Sequence, residues 1–287
     1  DKDTLEIDMI NFSGPNFKEV DNRLMSLQLI KNDMTDAVMF GPDGNNLLPA
    51  AVLYKKNILA LRGSFRPVTK VNLDMFEKSY DIFIRDKGVD QNNTIVIFEI
   101  TLSNLKASGE IDEQDFMDRA ELLCSLGHSV MISKFQEYYK LVEYFNNYTK
   151  NRIGLTMGVN NLVDIFDEKY YRHLSGGILE AFGKLFFKDL QVYLYPMKNP
   201  DTGQIMTSNN VKVHPRMKEL YKFFKYNGKV MDIIDYEPDV MHIFSRDVLK
   251  KLMNNEDGWE EMLPEGIAEI IKQKQLFTRK TEGQEAE

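Results

Sequence analysis

From residue 58 onward, short apolar runs in this chain alternate with longer amphipathic stretches. Runs of this kind are typical of strands buried on both faces of a parallel sheet, and they cover residues 58–61, 94–102, 129–133, 153–157, 190–195 and 230–234. Stretches with helical periodicity separate them, at residues 114–126, 136–148, 161–170, 178–187 and 215–224. The alternation predicts an α/β fold with a doubly wound, mainly parallel sheet and right-handed crossovers.

The same pattern divides the chain into three segments. Turn-forming residues between two apolar runs, 37–40 and 51–54, predict a hairpin, so residues 1–57 are expected to form an N-terminal appendage. Residues 58–277 form the predicted Rossmann-like domain, in which ligands bind at the carboxyl ends of the strands where the strand order reverses. The polar residues 278–287 are predicted to be a disordered tail.

Composition narrows the range of partners. The formal net charge of −8 argues against nucleic-acid binding, which needs a basic face, but it permits a local pocket for one nucleotide. No apolar run approaches the roughly 20 residues that span a bilayer, so we expect no membrane insertion. The single cysteine, Cys124, fits a reducing compartment, and we expect a cytoplasmic protein. Nothing in the sequence fixes the oligomeric state.

The stretch after the first predicted strand is typical of a phosphate site. Gly63 forms a turn, Pro67 fixes the backbone, and Thr69 stands at the start of a helix. The free N–H groups and the positive dipole end of that helix face the turn, where they favour an anion. Asn72 follows in the first helical turn and can donate a hydrogen bond, although it carries no charge. Capping of the helix by Thr69 and Asn72 is the competing interpretation and has equal weight.

This stretch resembles the phosphate loop of the adenylyltransferases that use a histidine-containing motif, Gly-Ser/Thr-Phe-Asp-Pro-x-His/Thr-x-Gly-His-Leu. The closest groups are the nicotinate or nicotinamide mononucleotide adenylyltransferases and the phosphopantetheine adenylyltransferases. The residues that match the motif are Gly63, Ser64, Phe65, Pro67, Thr69 and Leu73. Arg66 replaces the acid, Val71 replaces the second glycine, and Asn72 replaces the second histidine, which in the family steadies the triphosphate transition state.

Two later segments extend the resemblance in the same order. Gly158 and Asn160 follow a predicted strand and are similar to the family's Gly-x-Asp segment, with Asn160 in the position of the acid. Ser245 and Arg246 open a helix that resembles the family signature Ile-Ser-Ser/Thr-Thr/Ser-x-Ile/Val-Arg, which grips ATP phosphates. Leu249 occupies the arginine position of that signature. Helix capping is an equal alternative for Ser245, and a solvated helix face is the commoner role for Arg246.

The resemblance covers roughly residues 58–277 and implies a nucleotidyltransferase. Such a protein would bind ATP, with Mg²⁺, and a nucleotide or mononucleotide at the carboxyl edge of the sheet. Thr69 and Asn72 take the catalytic positions, and no set of residues shows metal-ligand spacing. The expected ligand-binding residues are Gly63, Ser64, Phe65, Gly158, Asn160, Ser245 and Arg246. If active, the chain would transfer the adenylyl group of ATP to a mononucleotide and release pyrophosphate.

Two other interpretations stay open, and with them the question whether the chain is an enzyme. The departures from the motifs fall on polar catalytic positions, while the apolar framework persists. This contrast favours a catalytically degenerate nucleotide-binding or scaffolding module of the same fold. The remaining hypothesis is a transferase that uses a sugar nucleotide or another phosphorylated ligand on a similar sheet.

Overall fold

A computed structural model describes residues 6–106, 111–186, 189–199 and 202–277. Its helices and strands, in chain order, are α1 (Asn22–Lys31), β1 (Ala37–Phe40), β2 (Asn46–Leu47), α2 (Pro49–Leu53), β3 (Asn57–Arg62), α3 (Lys70–Ile84), β4 (Thr94–Thr101), α4 (Glu113–Ser125), β5 (Ser129–Ser133), α5 (Tyr138–Tyr148), β6 (Ile153–Gly158), α6 (Val159–Ile165), α7 (Gly177–Leu185), β7 (Leu190–Tyr195), β8 (Met197–Lys198), β9 (Ile205–Met206), α8 (Lys218–Tyr226), β10 (Val230–Asp232), α9 (Ser245–Met253) and α10 (Ile267–Lys274). The tail predicted at residues 278–287 lies outside the described residues.

Eight strands form one sheet in the order β10-β7-β6-β3-β4-β5-β1-β2. The six strands from β10 to β5 are parallel to one another, and β1 and β2 add an antiparallel edge. The parallel part begins at β3, runs outward through β4 and β5, returns to β6, and runs outward again through β7 and β10. The order therefore reverses between β3 and β6. The predicted doubly wound, Rossmann-like architecture is confirmed.

Side chains of β3 alternate between the two faces of the sheet, as the pleat of a strand requires. Ile58 and Ala60 belong to an apolar core that also contains buried residues of α5, α6, α7 and α8. Leu61 belongs to a second core, shared with α1, α4, α9 and α10. Because both faces of the central strands are covered, their sequences are mainly apolar rather than alternating between apolar and polar residues.

The N-terminal hairpin is present, but its second strand lies earlier than the sequence pattern predicts. β1 pairs with the two-residue β2 across a turn, with Met39 opposite Leu47, and its other edge pairs with β5. Residues 51–53, expected as a strand, belong to the short helix α2, which has Pro49 in its first turn. Proline is preorganised for that position, which accounts for the difference.

None of the helices that the structure describes has both the length and the apolar character needed to cross a membrane.

Candidate functional site

The turn after β3 packs tightly before it reaches α3. Phe65 adopts a left-handed backbone conformation with φ of 48°, which is unfavourable for a bulky residue. Its side chain is buried, and the ring centroid lies 5.3 Å from that of Phe98. A Cβ at Gly63 would lie 2.8 Å from the Phe65 ring, so this position requires glycine. Phe65, predicted to bind a ligand, is a core residue, and the burial of its ring offsets the cost of its left-handed backbone conformation.

Thr69 and Asn72 bond to each other at the start of α3. The backbone N–H and the hydroxyl of Thr69 both donate to Asn72 Oδ1, at 2.9 and 3.0 Å. The two residues form a capping box, and Thr69 is fully buried. The arrangement is the one that the capping interpretation predicts.

Arg66, which stands where the family motif has an acid, is paired with an acid from a different helix. Its Nε donates to Asp115 Oδ1 on α4 at 2.5 Å. Asp115 also forms an ion pair with Arg119, and both side chains are buried. Burial lowers the pKa of Arg119, and the charge of Asp115 opposes that effect. Arg119 Nη1 also donates to the carbonyl oxygens of Ser64 and Asn104, at 3.0 and 2.9 Å, and so ties together the segments that follow β3 and β4.

A cavity of about 580 Å³ opens at the carboxyl ends of the strands around the point where their order reverses. Arg62, Gly63 and Ser64 line it from the end of β3. Its other lining residues are Thr101, Ser103 and Asn104 after β4, Gln136, Glu137 and Tyr138 at the start of α5, Asn161, Asp164 and Ile165 on α6, and Tyr170 and Tyr171 beyond it. Its volume and its position at the switch point are those of a small-molecule site in this architecture. We call it the switch-point cavity.

Arg62 is held in the wall of the switch-point cavity by a buried carboxylate. Its Nε and Nη2 donate to the two oxygens of Glu99, at 2.6 and 2.8 Å, and its Nη1 donates to the Gln136 carbonyl at 2.8 Å. Ser133 donates to Glu99 Oε1 at 2.6 Å, and Glu99 is fully buried. Burial alone would lower the pKa of Arg62, but the Glu99 charge and hydrogen bonds raise it above its ordinary value. The guanidinium is therefore fixed, and its charge is largely balanced.

Tyr138 carries a hydroxyl without a partner. It is the first residue of α5, its side chain is almost buried, and its ring centroid lies 4.3 Å from the Arg62 guanidinium carbon. Among the described residues, nothing makes a hydrogen bond to this hydroxyl. Burial raises the pKa of Tyr138 to about 12, and the nearby Arg62 only partly offsets the effect. A buried neutral hydroxyl without a partner costs free energy, and because its oxygen is shielded from solvent, a ligand would gain this hydrogen bond only if the cavity wall shifted to admit it.

The rest of the wall is polar and aromatic. The hydroxyl oxygens of Thr101 and Ser103 lie 2.8 Å apart, and the Asn104 N–H donates to Thr101 at 3.3 Å. Tyr171 is buried and donates to the Ile165 carbonyl at 2.8 Å, whereas Tyr170 is 39% exposed. Hydroxyl and amide groups can form hydrogen bonds to the sugar of a nucleoside, and an accessible ring can stack on its base.

Two carboxylates complete the lining, Glu137 and Asp164. The Nζ of Lys140 lies 2.8 Å from Glu137 Oε2, and Asp164 is exposed. Within the described part of the chain, no group of three or more His, Cys, Asp or Glu residues could hold a metal ion. Mg²⁺ in proteins is often bound by only one or two carboxylates together with substrate phosphates. Glu137 and Asp164 could therefore contribute to a Mg²⁺ site only jointly with a phosphorylated ligand.

The structure separates the residues predicted to bind the ligand. Gly63 and Ser64 line the switch-point cavity, whereas the predicted residues outside its lining are Phe65, Thr69, Asn72, Gly158, Asn160, Ser245 and Arg246. Gly158 ends β6, and Asn160 is exposed on α6. Ser245 is half-buried at the start of α9, and the Arg246 side chain is 83% exposed and lies 3.8 Å from Asp247. A binding role for these residues stays a prediction.

Arg62, Tyr138 and Asp164 are among the lining residues that sequence reasoning did not select as site residues. A weak signal existed for Arg62, because it is the charged residue that ends an apolar strand at the edge where ligands bind. Tyr138 belongs to an aromatic stripe whose members mostly pack in the core, so its exceptional position could not be distinguished.

No protein-family model matches the chain, and no curated protein matches its sequence. Solved structures similar to it include two of the Plasmodium falciparum nicotinic acid mononucleotide adenylyltransferase, one complexed with NaAD and one complexed with APC. Each is 14% identical to this chain, with a TM-score of 0.46, and the match covers 77% of this chain and 97% of the other. These proteins belong to one of the groups that the sequence motifs resemble. At this identity and TM-score, the likeness says nothing about activity.

Proposed function

We propose that this protein binds a nucleotide in the switch-point cavity and that its adenylyl-transfer machinery is degenerate. The observation that carries the proposal is the capping box at the start of α3. Thr69 and Asn72 occupy the catalytic positions of the resemblance, yet the Asn72 oxygen accepts both the backbone N–H and the hydroxyl of Thr69. A phosphate could use the N–H or the hydroxyl of Thr69 only by displacing Asn72 Oδ1, and the Asn72 amide nitrogen, which can still donate, carries no charge, so this end of the turn is poorly equipped for catalysis.

Binding is supported by the place and the chemistry of the cavity. It lies where doubly wound sheets bind their ligands, and it has the size of a small-molecule site. Tyr138 offers a buried hydroxyl without a partner, and Tyr170 offers an accessible ring. A nucleotide supplies both a hydrogen-bonding sugar and an aromatic base, which matches this pairing of groups.

Adenylyl transfer from ATP to a mononucleotide is the second candidate. It is favoured by Gly63 and Ser64, which belong to the matched phosphate loop and line the switch-point cavity. Glu137 and Asp164 would then hold Mg²⁺ together with the ATP phosphates, and the ion would neutralise phosphate charge. For Thr69 to take part in this reaction, its N–H or hydroxyl would have to leave Asn72 Oδ1.

A turnover assay combined with calorimetry separates the two candidates. The protein is incubated with ATP, Mg²⁺ and, in turn, nicotinate mononucleotide, nicotinamide mononucleotide and phosphopantetheine, and pyrophosphate release is followed. We expect no release above background, together with micromolar binding of at least one nucleotide in the titrations. Pyrophosphate release at about 1 s⁻¹ or faster, an ordinary enzyme rate, would show that the transfer machinery is intact. No binding of any nucleotide would remove the proposal itself.

A further inference from the structure

We infer that the switch-point cavity selects a nucleoside carrying at most one phosphate, and that Asp164 is a residue that excludes polyphosphates. The inference rests on the nucleotide binding proposed above and names the class of ligand more narrowly. Two observations support it: the charges of the residues that line the cavity, and the ion pairs that nearby cations already form.

The lining of the switch-point cavity is short of positive charge. Arg62 is the one basic side chain among its described lining residues, and it is already bonded to both oxygens of Glu99. Against it stand two lining carboxylates, Glu137 and Asp164. Lys140 partners Glu137, but within the described residues no cation forms an ion pair with Asp164. A triphosphate brings several negative charges into this setting, and like charges in a partly desolvated site repel one another strongly.

Two arginines near the Gly63–Ser64 turn are paired with a carboxylate outside the cavity lining. Arg66 and Arg119 both pair with Asp115, and Arg119 is buried. Withdrawing either of them to meet a phosphate would leave Asp115 buried beside a reduced positive charge, which is costly. At the start of α3, the nearest long helix, Thr69 and Asn72 are bonded to each other. These two arginines therefore offer a polyphosphate little compensation.

The neutral groups of the same cavity suit a nucleoside. The Tyr138 hydroxyl has no protein partner, and the amide side chains of Asn104 and Asn161 also belong to the lining. These groups make hydrogen bonds to sugar hydroxyls or base edges without requiring a charge on the ligand. Two of the five N–H groups of Arg62 remain after its bonds to Glu99 and Gln136, which is enough for a single phosphate.

Magnesium is the factor that could reverse this preference. Glu137 and Asp164 are both carboxylates, and an ion shared between them and a triphosphate would turn repulsion into attraction. Because we assign Asp164 a repulsive role and not a metal-binding one, we expect ATP to bind weakly both with and without Mg²⁺. ATP affinity measured with and without Mg²⁺ therefore distinguishes an Asp164 that repels phosphates from an Asp164 that binds the metal ion.

The test is a calorimetric series on the full chain. Adenosine, AMP and ATP form one series, and nicotinamide riboside and nicotinamide mononucleotide form a second, each with Mg²⁺ and with EDTA. The variants are Asp164→Asn and, as a matched control, Asp167→Asn, because Asp167 is a nearby acid outside the cavity lining that is paired with Lys169. We expect ATP to bind about tenfold more weakly than AMP to the wild type. Asp164→Asn should strengthen ATP binding about three- to tenfold and leave adenosine unchanged, while Asp167→Asn should change neither.

Each other outcome has a definite meaning. ATP that binds as tightly as AMP or more tightly, in either condition, overturns the inference and leaves nucleotide binding intact. Equal effects of Asp164→Asn and Asp167→Asn remove the role assigned to Asp164. If no member of either series binds, the proposed function itself is contradicted, and the inference falls with it.

Discussion

The two ends of the turn between β3 and α3 differ in whether their polar groups already have hydrogen-bond partners. At the open end, Gly63 and Ser64 face the switch-point cavity, where the Tyr138 hydroxyl has no partner among the described residues. At the closed end, the N–H and the hydroxyl of Thr69 both donate to Asn72 Oδ1 within a capping box. The family resemblance gives both ends a ligand role, but the two donors of Thr69 are already used by Asn72, whereas the Tyr138 hydroxyl is not used by any described residue. Similarity of a motif thus locates the turn, whereas unsatisfied polar groups indicate the binding site.

The largest expected effect comes from breaking the ion pair behind the open end. Glu99→Gln removes the charge that balances buried Arg62 while keeping the side-chain shape. Leaving one charge of a buried pair uncompensated typically costs about 3–5 kcal/mol, so the free energy of unfolding should fall by that amount. Urea denaturation measures it. As a control, the double variant Arg62→Met/Glu99→Leu should recover most of the lost stability, because it leaves no unpaired charge. A loss below about 1 kcal/mol in Glu99→Gln would mean that the two charges are not strongly coupled.

A smaller effect is expected in acid at the aromatic cluster that anchors the closed end. The His128 ring stacks on Phe98 at a centroid distance of 4.3 Å and meets Phe76, a residue of α3, at 4.8 Å. Burial lowers the pKa of His128 from 6.5 to about 4. Between these values the unfolded chain binds the proton and the folded chain does not, so stability rises with pH and falls on acidification.

Through this histidine, acidification from pH 7.5 to pH 5 should lower the free energy of unfolding by about 1–2 kcal/mol, allowing for the partial exposure of the ring. Urea denaturation at the two pH values measures the total change, and the same experiment on His128→Phe isolates the histidine. The variant should lose that part of the pH dependence while keeping the ring contacts. An unchanged pH dependence in His128→Phe would assign the effect to other groups.

The capping box gives the smallest of these stability effects and the sharpest contrast between the two ends. Asn72→Ala removes the oxygen that accepts from the Thr69 N–H and hydroxyl. The loss of a cap costs about 0.5–2 kcal/mol, which thermal or urea unfolding detects. Nucleotide affinity should stay unchanged, because Asn72 does not line the switch-point cavity. A stable Asn72→Ala protein that has lost nucleotide binding would move the site to the closed end.

The sequence predicts the sheet well because burial on both faces leaves a mark that is local in the chain. The runs that became β3, β5 and β7 are mainly apolar, and each strand lies within a residue of its predicted bounds. The second strand of the hairpin is a local failure, because the helix-starting effect of Pro49 outweighed the apolar run that follows it.

The cavity could not be predicted in the same way, because its chemistry depends on residues far apart in the chain. Arg62 becomes a fixed, balanced group only through Glu99, which lies 37 positions away on another strand. The Tyr138 hydroxyl can be recognised only in the folded chain, where no described residue makes a hydrogen bond to it. At the closed end, the sequence left Thr69 and Asn72 equally divided between capping and phosphate contact, and only their geometry favours capping.

The most direct test of the account compares nucleotide binding to one variant at each end. Calorimetry with AMP and with nicotinate mononucleotide is carried out on Tyr138→Phe, on Asn72→Ala, and on Tyr148→Phe as a control about 15 Å away along α5. A net hydrogen bond is worth about 0.5–1.5 kcal/mol, so Tyr138→Phe should weaken binding about three- to tenfold, without loss of stability. Asn72→Ala and Tyr148→Phe should bind like the wild type. Weaker binding by Asn72→Ala with unchanged binding by Tyr138→Phe would contradict the account.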